Sequence, residues 1–124
     1  MTEINTGEIR STLGHFTGTE NWYRHSLARS ITYTDGVKYV GEACGAYWLI
    51  DKIAILNQFE GKFKSEEFQV WTFSVNTKEC VGVLTAEDGN GNVVHTEKLD
   101  YTDFPLDEIK FYFTNNVIML PSEY

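Results

Sequence analysis

The apolar positions change period once along the chain. Ahead of about residue 57 they recur at helical spacing, and beyond residue 67 they alternate. Ile9, Leu13 and Phe16 stand at i, i+4 and i+7, which predicts a short helix from about Gly7 to His15, stopped by Gly18. Residues 2–7 are polar and are expected to be loose. Val37, Val40 and Cys44 stand at i, i+3 and i+7. Thr34 ahead of them can cap a helix by accepting from a first-turn N–H. Asp35 then suits the positive end of the helix dipole, and Gly45 fits the residue just past the end. A second helix is predicted from Ala46 to about Asn57. Its stripe of Leu49, Ile53 and Leu56 is widened by Ile50 and Ala54, so the helix is mostly buried. Residues 31–40 also fit a hairpin, Ile31–Thr34 and Val37–Val40 flanking an Asp35-Gly36 turn. The helix is the preferred reading, and the hairpin stays open beside it.

Gln58 to Glu66 is polar and reads as a loop. Phe68–Val75 is rich in aromatic and β-branched residues and reads as a strand, with Gln69, Trp71, Phe73 and Val75 on one face. Cys80–Ala86 and Val93–Leu99 are two more strands, joined by a hairpin over Glu87–Asn92. Asp103–Glu108 is a turn or one helical turn. Ile109–Phe113 and Val117–Leu120 make a last hairpin around Thr114-Asn115-Asn116. Helices first and strands after predict an α+β fold: two or three N-terminal helices packed on a four- to five-stranded antiparallel sheet formed mainly by the C-terminal half. No repeat or linker divides the chain, so residues 1–124 are expected to form one globular domain.

Charge changes the picture of what such a domain would bind. The net charge is −8, and it is placed unevenly. Residues 1–57 carry five Lys/Arg against six Asp/Glu; residues 58–124 carry five against twelve. Such a surface repels phosphate backbones, so direct nucleic-acid binding is not expected. No apolar run approaches the ~20 residues of a membrane span, and no basic start precedes an apolar core as in a signal peptide. The two cysteines, Cys44 and Cys80, lie in no motif, which points to reduced thiols and the cytoplasm.

Several chemistries lack their motifs. His15, His25 and His95 are scattered, so no metal or other cofactor is expected. Gly89 and Gly91 sit in a hairpin rather than a phosphate loop. Asp88, Asn90 and Asn92 begin like a calcium loop, but Val93 stands where Gly is needed and Leu99 where Glu is needed. Cys44 lies on an apolar helix face, where an inert thiol is the commoner outcome. Asp35, Glu42 and Asp51 are the carboxylates nearest the central motif, and no spacing forces two of them together. Asp51 has Tyr47, Trp48 and Ile55 as helical neighbours, a setting for a structural ion pair or for an acid–base group. Trp22, Tyr23, Arg24 and His25 lie side by side, and with Arg29 and Lys38 they form the cationic, aromatic segment of an acidic chain. That composition suits an anion or a partner's carboxylates, or else internal packing and pairing.

The runs Tyr33-Thr-Asp-Gly-Val-Lys-Tyr39 and Gly45-Ala-Tyr-Trp-Leu-Ile-Asp51 carry a resemblance. With Gly18-Thr-Glu20, Trp22–His25, Glu67–Trp71, Thr102–Lys110 and Leu120-Pro-Ser-Glu-Tyr124, they resemble a family of small bacterial proteins known as a domain of unknown function. This chain has Val40-Gly41-Glu42 where the family usually has Leu-Ala-Glu, which places a glycine inside the first predicted central helix. The resemblance implies a group and no mechanism. The function expected from the residues is a cytoplasmic, non-enzymatic binding or regulatory module. Its groove would use Trp22, Tyr23, Arg24, His25, Lys38, Tyr47, Trp48 and Asp51, for a protein or a small anionic ligand. A small enzyme with Asp51 or His25 as acid or base is the alternative. A further alternative is an acidic mimic of nucleic acid, which needs Glu87, Asp88, Glu97, Asp100, Asp103, Asp107 and Glu108 on one face. Hairpin edge strands leave a homodimer open.

Overall fold

The computed structural model describes residues 6–17, 21–63 and 66–124. Its elements are α1 (Thr6–Leu13), β1 (Trp22–Arg24), β2 (Thr32–Thr34), α2 (Asp35–Ala43), α3 (Tyr47–Phe59), β3 (Phe68–Asn76), β4 (Val81–Asp88), β5 (Val93–Leu99), β6 (Glu108–Thr114) and β7 (Val117–Met119). Short 3₁₀ turns cover Gly61–Phe63 and Pro121–Glu123. The expected stop at Gly18, the Gly18-Thr-Glu20 motif and most of the polar start lie outside the described residues.

The fold is α+β, but its sheet is larger than the sequence implies. Seven strands run in the order β1-β2-β7-β6-β3-β4-β5. All neighbours are antiparallel except β2 and β7, which pair in parallel, Thr32 with Val117 and Tyr33 with Ile118. The four or five antiparallel strands expected from the C-terminal half are therefore corrected to seven in a mixed sheet. The additions, β1 and β2, have three residues each and come from the N-terminal half. Three residues are too few to display an alternating pattern.

Residues 31–40 resolve as a strand end followed by a helix. Thr34 keeps an extended backbone and accepts from Val37 N–H at 3.4 Å, so it is the cap that opens α2. Gly45 adopts φ +61°, and Ala46 N–H reaches back to the Gly41 carbonyl at 3.0 Å, closing α2 with a left-handed glycine. The stretch after α3 is not the plain loop expected: α3 runs on to Phe59, and Phe63 is buried against the Trp71 ring at 5.4 Å. The two hairpin turns are built as their residues require. Asp88 Oδ1 accepts from Asn90 and Asn92 N–H, and Asn115 and Asn116 both take positive φ, the pair a two-residue turn needs.

α3 crosses one face of the sheet. Trp48 meets Phe73 of β3 edge-on at 5.5 Å, Lys52 pairs with Glu97 of β5, and Asn57 reaches Gln69 of β3. Alternation on the strands delivers Trp71, Phe73, Leu84, Phe111, Phe113 and Ile118 to that face, all buried. Burial of such side chains contributes ~2 kcal/mol each and drives the helix onto the sheet. A chain of buried polar groups runs through this apolar layer. Trp71 Nε1–H donates to Gln69 Oε1 at 2.8 Å, Gln69 Nε2 donates to Asn57 Oδ1 at 2.8 Å, and Asn57 Nδ2 donates to the Ile53 carbonyl at 3.0 Å.

The Leu120–Tyr124 segment closes the start of α2. Glu123 accepts from Thr34 Oγ1 at 2.6 Å, from Gly36 N–H at 3.2 Å and from Leu120 N–H at 3.0 Å. A carboxylate on the first-turn amides is the favoured sign at a helix N-terminus. Gly36 makes the approach possible, because a Cβ there would lie 2.6 Å from both Glu123 Oε1 and Leu120 Cδ1. Glu123→Ala is expected to destabilise the fold by ~1–2 kcal/mol, read as a lower urea midpoint. Gly36→Ala removes the same contact, so the double variant should lose much less than the two losses added. Additive losses would show that Glu123 and Gly36 act separately.

Candidate binding site

At the β1 edge the sheet face carries a cluster of phenols and carboxylates. Antiparallel register sets Tyr23 of β1 opposite Tyr33 of β2, and their rings stack with centroids 5.7 Å apart. Tyr23 Oη donates to Asp35 Oδ1 at 2.8 Å, and Asn21 N–H reaches the other oxygen at 3.2 Å. One helical turn along α2, Lys38 Nζ lies 4.5 Å above the Tyr23 ring and 3.9 Å from Glu42. Tyr47, at the start of α3, donates to Glu42 Oε1 at 3.3 Å. Its ring lies over Gly41, where a Cβ would come within 2.9 Å of two ring atoms. Gly41 thus gives Tyr47 its place.

The phenols register the charge around them. Tyr33 is held above its ordinary value by burial first, then by the carboxylates of Asp51 and Glu42. Tyr47 is raised by burial and then by Glu42. Tyr23 is raised chiefly by its hydrogen bond to Asp35. Asp35, Glu42 and Asp51 therefore make this an electronegative patch, with Lys38 the cation set among them.

Asp51 is anchored from below. His25 is buried, and its Nε2 lies 2.7 Å from Asp51 Oδ1. Its Nδ1 accepts from the backbone N–H groups of Leu27 at 3.2 Å and Ala28 at 2.9 Å. Two donors pointing at Nδ1 leave the ring proton on Nε2, donating to Asp51. Both nitrogens are engaged, so His25 is a positioning group with no lone pair free for a proton. Asp51 remains about half exposed, and its second oxygen has no hydrogen-bond partner among the described residues.

The fold divides the groove expected from the sequence. Tyr23, Lys38, Tyr47 and Asp51 come together, and Tyr33 joins them. Trp22 and Arg24 alternate to the other side of β1; Trp22 is exposed, and Arg24 donates to the Arg29 carbonyl at 2.5 Å. Trp48 turns away to Phe73. Tyr33 was the missed member. It stands in the Tyr33–Tyr39 motif, but only pairing with Tyr23 across two short strands reveals which face it takes. Cys44 is buried, and burial pushes its thiol up to about 11, which keeps it protonated and unreactive near neutrality. Among the described residues, no three His, Cys, Asp or Glu side chains converge closely enough to hold a metal ion. None of the described helices is long and apolar enough to cross a membrane.

The carboxylates of the mimic reading do not share a face. Glu97 turns inward to Lys52, Asp88 closes its own turn, and Asp107 pairs with Arg10 at 2.7 Å.

A family model matches residues 7–124, from the start of α1 to the end of the capping segment. The chain belongs to DUF6876, a family of unknown function. No curated protein and no solved structure matches it. In this DUF6876 chain the motifs of the sequence have separate structural places. Tyr33–Tyr39 opens α2 and supplies Tyr33 and Lys38, Gly45–Asp51 supplies Tyr47 and Asp51, and Leu120–Tyr124 caps α2.

Proposed function

We propose that this chain is a non-enzymatic binding module whose Tyr23–Tyr33–Tyr47 face receives a cationic side chain, Lys or Arg, from a protein partner. The observation that carries this reading is the stacked tyrosine pair flanked by Glu42 and by Asp51, whose outer oxygen is uncommitted. Aromatic faces and carboxylates are the two groups that bind a guanidinium or ammonium. The ligand charge is opposite to that expected from the sequence. Arg24 is held by a backbone carbonyl, and Lys38 already faces Glu42 and the Tyr23 ring. On this face the described residues therefore offer an anion no uncommitted cation.

The test is a titration of the isotope-labelled protein with the tripeptide Gly-Arg-Gly, followed by NMR. Shifts should concentrate on the Tyr23, Tyr33 and Tyr47 rings and on the amides of residues 42 and 51. Asp51→Asn should keep the acceptor for His25 while weakening binding by about threefold or more. Binding of acetate or phosphate at these rings, in place of the tripeptide, would overturn the reading.

A small enzyme is the second reading. One observation favours it: His25 fixes one oxygen of Asp51 and leaves the other facing outward, as for a carboxylate acid or base. A small molecule that copurifies with the wild type, is detected by mass spectrometry, and returns chemically altered after incubation with wild type but not with Asp51→Asn would favour it.

A further inference from the structure

We propose that the face of the sheet opposite α3 is where two copies of this chain meet. β3 turns Val70, Thr72 and Ser74 outward, and β4 turns Val81, Val83 and Thr85. α3 lies on the opposite side of these strands, and on this side Tyr124 packs on Phe68 and Tyr112 at one corner. In a chain with 23% charged residues, these six positions hold none. Charge returns at the end of β4, as Glu87 beside Val70, and on the flanking strands, as Glu108 and Lys110 on β6 and Lys98 on β5. A centre cleared of charge within a charged rim is the anatomy of an interface.

The rim identifies the partner. Glu108 pairs in register with Ser74, Ser74 with Val83, and Val83 with Lys98. One row therefore crosses four strands from a carboxylate to an ammonium. A two-fold axis parallel to the strands, between β3 and β4, lays this row on its own reverse. Each Lys98 then faces the other copy's Glu108, twice over. The next row runs Lys110, Thr72, Thr85, Thr96 and sets Lys110 against Thr96, and the row beyond it runs Tyr112, Val70, Glu87, Val93 and sets Glu87 against Val70. Neither Lys98 nor Glu108 has an ion-pair partner among the described residues. The face thus complements itself, which is what an isologous dimer requires. Packed sheets cross at about 30°, an offset that two long rim side chains can span.

The size of the face sets the strength. Four strands about 4.8 Å apart, with β3 nine residues long, give a footprint on the order of 500 Å². A standard interface needs about 800 Å² on each partner, so the dimer is a weak one.

Sedimentation velocity of the full chain over about 1–300 µM tests this. The wild type should pass reversibly from a 14.2 kDa monomer to a dimer as concentration rises. Val83→Lys should leave a monomer throughout. Lys98→Glu or Glu108→Lys alone should weaken the dimer about tenfold, and the two together should restore it to within about threefold. The double swap carries the test if Val83→Lys does not fold, as judged by circular dichroism. A wild type monomeric over the whole range overturns the proposal and leaves the face to another partner. A dimer that the single swaps leave intact, or that the double swap fails to restore, overturns it equally.

Discussion

Gln69→Leu is expected to lower stability by ~3–4 kcal/mol although the new side chain is apolar and nearly the same size. Gln69 is fully buried, and both ends of its amide are in use, toward Trp71 Nε1–H and toward Asn57 Oδ1. Leucine leaves a buried indole donor and a buried amide acceptor without partners, at ~1–3 kcal/mol each. The apolar gain of a larger hydrocarbon surface is smaller than that sum. The decisive comparison is the triple variant Asn57→Leu, Gln69→Leu, Trp71→Phe. Removing every member of the chain leaves no orphan, so the triple should recover most of the loss in guanidinium unfolding. A single Gln69→Leu within 1 kcal/mol of wild type would mean that water or a rearranged Asn57 satisfies the indole.

His25→Ala is expected to cost ~3 kcal/mol and to disable the candidate site from beneath. The imidazole organises the turn between β1 and β2. It accepts from Leu27 and Ala28 N–H, while His25 N–H donates to the Ile31 carbonyl at 2.9 Å. Alanine orphans the fully buried Ala28 amide, opens a cavity and releases Asp51. His25→Asn should recover about half of the loss, because an asparagine oxygen can accept from the amides two and three residues on. It cannot reach Asp51, so it separates the two roles. In the asparagine variant the turn and the Tyr23–Tyr33 stack should persist, seen in the tyrosine ring signals, while tripeptide binding falls about threefold. If alanine leaves stability and the ring signals unchanged, the turn is held by the backbone alone and His25 does not position Asp51.

Much of the fold follows from local pattern. The 3.6 period of Val37, Val40 and Cys44, the cap at Thr34 and the glycine at 45 state where α2 begins and ends, and these are interactions within a few residues of one another. The same holds for Gln69, Trp71, Phe73 and Val75, whose alternation assigns them to one buried face of β3. Asp88 with its turn, and Asn115-Asn116 with theirs, carry their own hydrogen bonds or φ angles. Tyr47 and Asp51 lie one turn apart on α3, so their shared side was also legible. The donor that fixes Asp51 was not, because His25 is 26 residues away and reaches it only across the β1–β2 turn.

What the sequence by itself determined was the α+β class, the place of α3, the two C-terminal hairpins and which residues of β3 are buried; for residues 31–40 it preferred α2 over a hairpin without deciding between them. Each depends on periodicity or on turn chemistry, whose range is a handful of residues. Only the tertiary structure decided the rest. Three-residue strands have no readable period; β1 and β2 exist because pairing supplies their hydrogen bonds, and β2 finds its parallel partner β7 from the far end of the chain. That pairing sets Tyr33 beside Tyr23, turns Arg24 away and brings Glu123 to the first amides of α2. The sign of the site's charge depended on this as well. Composition placed Arg24, Arg29 and Lys38 in one segment, but strand alternation and a backbone carbonyl divert the arginine, and helix packing sets Glu42 and Asp51 beside the tyrosines.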